Sequence, residues 1–164
     1  MDMQSALSGK TAQDRATDLL REDHRTVREL LTQYERAMAE QWDTRQGIAE
    51  EICMQLEAHA RVEEEIFYPA IARVDASFIA HAREQHEAMN EQIQRVKQPS
   101  VDVVQYDAAM RELNRLFDPH ILEEEQLFAL LERRVPEALY WLRAKIVRCK
   151  EQLTGSTQEM QGRS

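Results

Sequence analysis

The clearest indication of the fold is residues 106–131, YDAAMRELNRLFDPHILEEEQLFALL. Core-forming positions recur here at alternating intervals of four and three residues, the spacing of a helix that buries one face. Pro119 interrupts the segment, so we expect the helix to bend there or to divide into two collinear pieces, the first ending near Asp118. The predicted buried face consists of Tyr106, Met110, Leu113, Phe117, His120, Glu124, Leu127 and Leu131.

Three further segments show the same alternation, and residues 48–154 contain no glycine, which disfavours β-hairpins. The short breaks near 42–46, 74–76 and 98–100 make neighbouring helices antiparallel. The sequence therefore predicts an all-α fold, an antiparallel up-down four-helix bundle over residues 14–134. The other three faces are Leu20, His24, Val27, Leu31, Tyr34 and Met38; Ile52, Leu56, His59, Glu63, Ile66 and Ala70; and Ala82, His86, Met89, Ile93 and Val96.

An additional C-terminal helix is predicted over residues 136–153, because Pro136 suits the first turn of a helix. Its apolar face consists of Leu139, Leu142, Ile146, Cys149 and Leu153, and its opposite face carries Arg143, Lys145, Arg148 and Lys150. We expect this helix to pack on the bundle or on a second copy of the chain, as a homodimer; binding to a membrane surface is the alternative. Residues 1–13 and 154–164 are polar and are expected to be flexible tails.

Composition excludes several classes of protein. The 164 residues include 30 acidic and 21 basic side chains, a net charge of −9, which disfavours nucleic acid as a partner. No apolar run approaches the roughly 20 residues of a membrane span, and the first residues lack the features of a secretory signal. We therefore expect a cytoplasmic protein. Cys53 and Cys149 form no metal-binding or disulfide motif and are expected to be reduced.

Six polar residues occupy positions on these faces where a bundle normally has Leu or Ile. His59 and Glu63 recur 61 residues later as His120 and Glu124, and His24 recurs 62 residues later as His86. Because residues i and i+4 share a helix face, each HxxxE directs an imidazole and a carboxylate to one point. A buried unpaired carboxylate is costly, and no Lys or Arg lies on these faces to neutralise it. The pattern predicts a metal site made of His24, His59, Glu63, His86, His120 and Glu124.

Two metal ions suit these six ligands better than one, because zinc usually takes about four. Imidazole and carboxylate without sulfur favour iron over manganese or zinc in a four-helix bundle. The repeat pairs His24 with His59 at one ion and His86 with His120 at the other. Glu63 and Glu124 would then bridge, together with an oxo or hydroxo group. One open position at each iron would accept dioxygen, nitric oxide or peroxide.

These motifs resemble the hemerythrin-like HHE cation-binding family over about Leu19 to Arg133. The resemblance implies a non-haem di-iron site at the same six residues. Oxygen carriers of the family have a second histidine one turn away in helix three, where this chain has Ala82 or Asn90. The ligand set is most similar to family members that repair iron centres under nitrosative and oxidative stress. The resemblance to the family rests on the motifs Asp23-His24, His59-x-x-x-Glu63-Glu64-Glu65, Tyr68-Pro69, Glu84-Gln85-His86 and His120-x-x-x-Glu124-Glu125.

Three functional hypotheses follow from the sequence. The first is a di-iron protein that binds or senses dioxygen, nitric oxide, or the redox or iron state. The second is a di-iron redox enzyme that turns over peroxide or nitric oxide, or donates iron for repair, and the third is a metal-free, partner-binding bundle. His81 is expected at the surface. The alternative is that a kink at the start of its helix turns it toward the metal. Tyr34, Tyr68, Met89 and Phe117 are expected in the core or lining the ligand pocket, and Glu64, Glu65, Glu123 and Glu125 on solvated faces, where some could hydrogen-bond a ligand histidine.

Overall fold

The computed structural model describes residues 14–161, with the backbone alone for residue 154 and residues 156–161. Within this range it is all-helical and contains no strand. The helices are α1 (Ala16–Arg36), α2 (Trp42–Val62), a π-helical turn (Glu63–Phe67), α3 (Tyr68–Ile71), α4 (Ala76–Lys97), α5 (Val103–Arg134) and α6 (Pro136–Gln161). The predicted all-α fold, an up-down bundle with an additional C-terminal helix, is confirmed.

Four helical rods form the bundle, because α2, the π turn and α3 follow one another without a break. Rods one and two pack together, as do α4 and α5. Asp75 and Asp102 begin α4 and α5 by accepting hydrogen bonds from the backbone N–H groups of Phe78 and Gln105, so both helices have the caps that free N–H groups require. None of the described helices is both long and apolar enough to cross a bilayer.

The core is divided into two apolar clusters, one toward each end of the bundle. Along α1, for example, Leu20 belongs to one cluster and Val27 to the other, with His24 between them. On every rod the predicted ligands lie between residues of one apolar cluster and residues of the other. The histidines and glutamates of the predicted metal site therefore form a polar layer between two apolar ones. Apolar packing above and below this layer holds its side chains in place.

The π turn corrects the predicted face of the second rod. Ile66 and Ala70 were expected in the core, but Ile66 is half-buried and Ala70 is exposed, whereas Phe67 and Ile71 are buried. The backbone N–H of Tyr68 donates to the carbonyl oxygen of Glu63, five residues earlier. A π turn inserts one extra residue into the helical repeat, and such turns are frequent at functional sites.

The possible division of the helix at Pro119 and the buried position expected for Met38 were both wrong. α5 is one continuous helix through Pro119, which lies on its exposed side while Phe117 and His120 anchor the inner face. Packing therefore offsets the one backbone hydrogen bond that proline removes. Met38 lies beyond the end of α1 and is 65% exposed, because Ala37 adopts an extended conformation.

The C-terminal helix packs on the bundle, as the first alternative predicted. Leu139, Leu142 and Ile146 are buried in the apolar cluster that also contains Leu19 and Phe128, and α6 contacts α1, α2, α5 and the π turn. The helix continues to Gln161, so residues 154–161 are helical in backbone where a tail was expected after residue 153. The expected tail at residues 1–13 and the last residues, 162–164, lie outside the described part of the chain.

Candidate metal centre

All six residues predicted as ligands lie in the polar layer between the two apolar clusters. His24 comes from α1, His59 from α2, Glu63 from the π turn, and His86 from α4. His120 and Glu124 lie one turn apart on α5. None of the six is more than 5% exposed. The four rods thus direct every predicted ligand to one enclosed volume.

The histidines form two pairs whose Nε2 atoms face each other. His24 and His59 have their Nε2 atoms 3.1 Å apart, and His86 and His120 have theirs 3.2 Å apart. Two donor atoms about 2.1 Å from one divalent ion, at a right angle, would be about 3.0 Å apart. Both pairs therefore have the spacing of ligands that share a cation, and the pairing is the one that the internal repeat predicts.

The Glu63 carboxylate lies between the two histidine pairs. Its Oε1 is 2.9 Å from Nε2 of His59, and its Oε2 is 3.0 Å from Nε2 of His86. Because each oxygen faces a different pair, this carboxylate is placed to bridge two ions. One potential metal-binding group is His24, His59, Glu63 and Glu124, and the second is Glu63, His86 and His120.

Glu124 lies closer to the first pair than to the second. Its Oε2 is 2.8 Å from Nε2 of His24 and 3.6 Å from Nε2 of His120. Oε2 of Glu124 and Oε1 of Glu63 are buried and form no hydrogen bond of regular geometry among the described residues, although each lies within 2.9 Å of a histidine Nε2. Buried polar atoms are rarely left in this state, since it forfeits the hydrogen bonds they make in water. Converging lone pairs of nitrogen and oxygen are a donor set that a divalent cation fits.

Outer hydrogen bonds orient three of the four imidazoles. Nδ1 of His59 lies 3.0 Å from Oδ2 of Asp23, that of His86 lies 2.9 Å from Oε1 of Glu64, and that of His120 lies 2.8 Å from Oε1 of Gln85. These oxygens accept a hydrogen bond from Nδ1–H, which leaves the lone pair of Nε2 directed into the centre. Of the four acids predicted on solvated faces, Glu64 is the one that hydrogen-bonds a ligand histidine directly.

Tyr68 is the contact that sequence reasoning did not place at the carboxylates. Its hydroxyl oxygen is 2.8 Å from Oε1 of Glu124 and 3.1 Å from Oε2 of Glu63, so it can donate to either carboxylate. On a regular α-helix Tyr68 would point about 140° away from Glu63. The extra residue of the π turn brings Tyr68 round toward the side of the helix that carries Glu63. We found no pattern in the sequence that predicts such a turn.

The protonation states of the metal-free site are set by burial and by the two carboxylates. Burial lowers the pKa of His24 to about 2 and that of His120 to about 3, and neighbouring histidines add to this effect. Burial acts in the same direction on His59, but the Glu63 charge and the hydrogen bonds with Asp23 and Glu63 outweigh it and raise the pKa of His59 well above its usual value.

The carboxylates shift in opposite directions. Burial opposes the ionisation of Glu63, yet His59 and His86 hold its pKa well below the usual value. Burial raises the pKa of Glu124, and the nearby negative charge of Glu63 raises it further. Without a metal, these shifts favour protonation of His59 and Glu124, and a bound cation would take the place of those protons.

A small cavity of about 30 Å³ adjoins the histidines. This volume admits a ligand of water or diatomic size but no larger substrate. Ala60 and Asn90 also line a wider depression on the surface, so the cavity opens toward solvent between α2 and α4. The cavity is lined by Leu56, His59, Ala60, His86, Met89, Asn90, Ile93, Phe117 and His120.

Several candidates lie outside the centre. His81 is exposed and pairs with Glu123 at 2.9 Å, so it is a surface residue as expected. Tyr34 donates to Asp107 and does not line the cavity beside the histidines, unlike Met89 and Phe117. The other two acids on solvated faces form ion pairs, Glu65 with Arg61 and Glu125 with Arg21.

Comparisons with known proteins agree with this geometry. The family model of the hemerythrin HHE cation-binding domain matches residues 15–131. A crystal structure of a hemerythrin HHE cation-binding domain-containing protein from Mycobacterium kansasii matches with a TM-score of 0.74 at 24% identity, over 89% of this chain and 91% of that one. No curated protein gave a significant match. The resemblance predicted from the motifs is confirmed, and the solved structure supports the fold.

Proposed function

The chain belongs to the hemerythrin HHE cation-binding domain family, and on this basis we propose that it is a di-iron protein that binds or senses a small ligand. The candidate ligands are dioxygen, nitric oxide and peroxide. The observation that carries the proposal is the position of the Glu63 carboxylate, with one oxygen facing each histidine pair. When bound, a reduced iron pair with open positions would supply the electrons and the coordination site for such a ligand.

The residues of the chain perform three tasks in this proposal. The four imidazoles and two carboxylates hold the ions, and the outer acceptors keep each Nε2 pointed inward. The mostly apolar wall of the cavity disfavours charged and bulky molecules, since only about 30 Å³ is open beside the histidines. The metal-free, partner-binding alternative is disfavoured because it leaves two carboxylates fully buried, each with one oxygen outside any hydrogen bond of regular geometry.

Metal analysis and rapid mixing test the proposed function. Purified protein is expected to contain about two irons per chain, the number that the donor set of such a bundle holds. Anaerobic ferrous protein is then mixed with dioxygen, nitric oxide or peroxide while its absorption spectrum is recorded. A reversible change supports binding and multiple turnovers support an enzyme. Protein that takes up no iron would contradict both.

Metal uptake is expected to strengthen as the pH rises. Ligands must be deprotonated to bind a metal, and the pKa values of His59, His86 and Glu124 are all raised in the metal-free protein. Binding therefore releases protons, and each released proton changes the apparent affinity by about tenfold per pH unit. Titration with ferrous iron against a chelator, between pH 6 and 8, measures the slope; a slope of zero after correction for the chelator would contradict the protonation states given above.

A larger side chain at Ala60 is expected to slow ligand entry. Ala60 lines the cavity of about 30 Å³ and lies where it meets the surface depression, so a phenylalanine ring at this position would obstruct the passage. Nitric oxide association with Ala60→Phe should be at least about tenfold slower, a barrier increase of about 1.4 kcal/mol, with unchanged iron content. Ala80→Phe, at an exposed position of α4, is the matched control. Equal rates in both variants would place the entrance elsewhere.

A further inference from the structure

The C-terminal helix reaches the metal centre through one lysine. Nζ of Lys150, on α6, forms an ion pair with Oδ1 of Asp23, on α1. The other oxygen of the same carboxylate, Oδ2, lies 3.0 Å from Nδ1 of His59. Three side chains from three helices thus form a continuous chain of contacts that ends at a ligand imidazole. Lys150 and α6 lie beyond residues 15–131, which the family model matches.

Asp23 differs from the other two outer acceptors in needing a counter-charge. Glu64 is 44% exposed, so water can solvate its charge, and Gln85 is neutral. The Asp23 side chain is only 15% exposed. A carboxylate removed from water is costly unless a cation is paired with it. Among the outer acceptors described above, Asp23 is therefore the one that depends on a cation.

A metal-loaded site leaves Lys150 as the cation beside Asp23. Once Nε2 of His59 binds a metal, the imidazole is neutral and only donates a hydrogen bond from Nδ1. Lys150 then remains as the cation in contact with the Asp23 carboxylate.

Lys150 is also held where it can perform this role. Ile146, one turn before it, is fully buried in the apolar cluster beneath the centre, and Leu139 and Leu142 are buried in the same cluster. Since Lys150 is four residues after Ile146, it lies on the same side of α6 and is directed toward the bundle. The packing of α6 therefore sets the distance between the ammonium group and Asp23.

We propose that Lys150 is a positioning residue of the metal centre, which fixes the Asp23 carboxylate so that it holds the His59 imidazole with Nε2 directed at the ion. The inference rests on the proposed function in needing a bound cation. It assigns to α6 a direct role in the centre, in addition to covering the apolar end of the bundle.

The test follows the Nδ1–H protons of the ligand histidines by NMR in zinc-loaded protein labelled with nitrogen-15 in histidine. In Lys150→Met the Nδ1–H of His59 is expected to exchange with water at least about tenfold faster, because its acceptor is no longer held. The Nδ1–H protons of His86 and His120 serve as internal references, since they are directed at Glu64 and Gln85 instead of Asp23. Lys150→Arg should restore slow exchange, because arginine keeps the positive charge.

Two further variants separate positioning from a general loss of structure. Lys145→Met removes a lysine from the exposed side of the same helix, where its ammonium group lies over the Trp141 ring, and should leave all three exchange rates unchanged. Asp23→Asn should speed exchange at His59, and adding Lys150→Met to it should produce no further change, as expected for residues that act through one another. In iron-loaded Lys150→Met the reduction potential should fall, because loss of a nearby positive charge favours the oxidised ions.

The outcomes distinguish this inference from the proposed function. Unchanged His59 exchange in a folded Lys150→Met protein would overturn the inference and leave the di-iron proposal intact. Wild-type protein that binds zinc but takes up no iron would overturn the di-iron proposal, while the exchange measurement would still decide the role of Lys150. Faster exchange at all three histidines would show general loosening of the site and would also overturn the inference.

Discussion

Replacing His59 and His120 together by alanine is expected to abolish metal uptake while the protein remains helical. Each histidine belongs to a different Nε2 pair, so the double substitution removes one nitrogen ligand from each ion. Loss of an outer hydrogen-bond partner alone typically costs 10- to 100-fold in metal affinity, and loss of a ligand costs more. The iron content should therefore fall to background. Metal analysis measures this, with circular dichroism as the check on folding.

Controls for this variant come from the same chain. His81→Ala removes a surface histidine that pairs with Glu123 and should leave the iron content unchanged. His24→Ala with His86→Ala removes the opposite member of each pair and should match the first variant. Wild-type protein should melt at a higher temperature with iron than without it, because a ligand that binds only the folded state stabilises it. If the His59/His120 variant kept two irons per chain, the ligand assignment would be wrong.

Replacing Glu63 by glutamine is expected to reduce iron retention by more than 100-fold. The amide has nearly the shape of the carboxylate but carries no charge, and only one of its two terminal atoms can bind a metal. Because Glu63 faces both histidine pairs, this one substitution weakens the binding of both ions. Iron release to a chelator measures the loss. Glu65→Gln, at an exposed glutamate paired with Arg61, is the matched control.

The metal-free state of the Glu63→Gln variant provides an independent readout. The charge of Glu63 is the main factor that raises the pKa of His59 against the effect of burial. Without that charge the pKa of His59 should fall, which NMR titration of the imidazole can follow. Unchanged iron retention together with an unchanged His59 titration would mean that Glu63 is not the residue that joins the two pairs.

Much of the fold and the candidate site could be predicted because periodicity and burial are linked. Along α5, every position of the predicted face from Tyr106 to Leu131 is buried, since a four–three alternation returns side chains to one side of a helix. The six polar residues stood out because they interrupt such faces, where burial without a partner would be costly. That reasoning needs only the spacing along the chain, and the folded structure brings all six together.

The failures share a different cause. Ile66 and Ala70 were placed in the core because a regular helix was assumed through Glu63, and one inserted residue in the π turn exchanges them for Phe67 and Ile71. Pro119 was expected to bend the helix or to divide it, and packing excludes the division by keeping α5 continuous. In both cases tertiary contacts outweigh the local preference of the backbone, and the local sequence does not predict when this happens.

The sequence alone determined the helical class, the antiparallel order and the choice of the six polar core residues, because each follows from spacing along one helix or from one helix repeated. The tertiary structure decided what surrounds them. Tyr68 meets Glu63 and Glu124 only because the π turn rotates it inward, and Lys150 meets Asp23 only because α6 packs against α1. Contacts between residues far apart in the chain depend on how whole helices pack, and no periodicity within one helix encodes that arrangement.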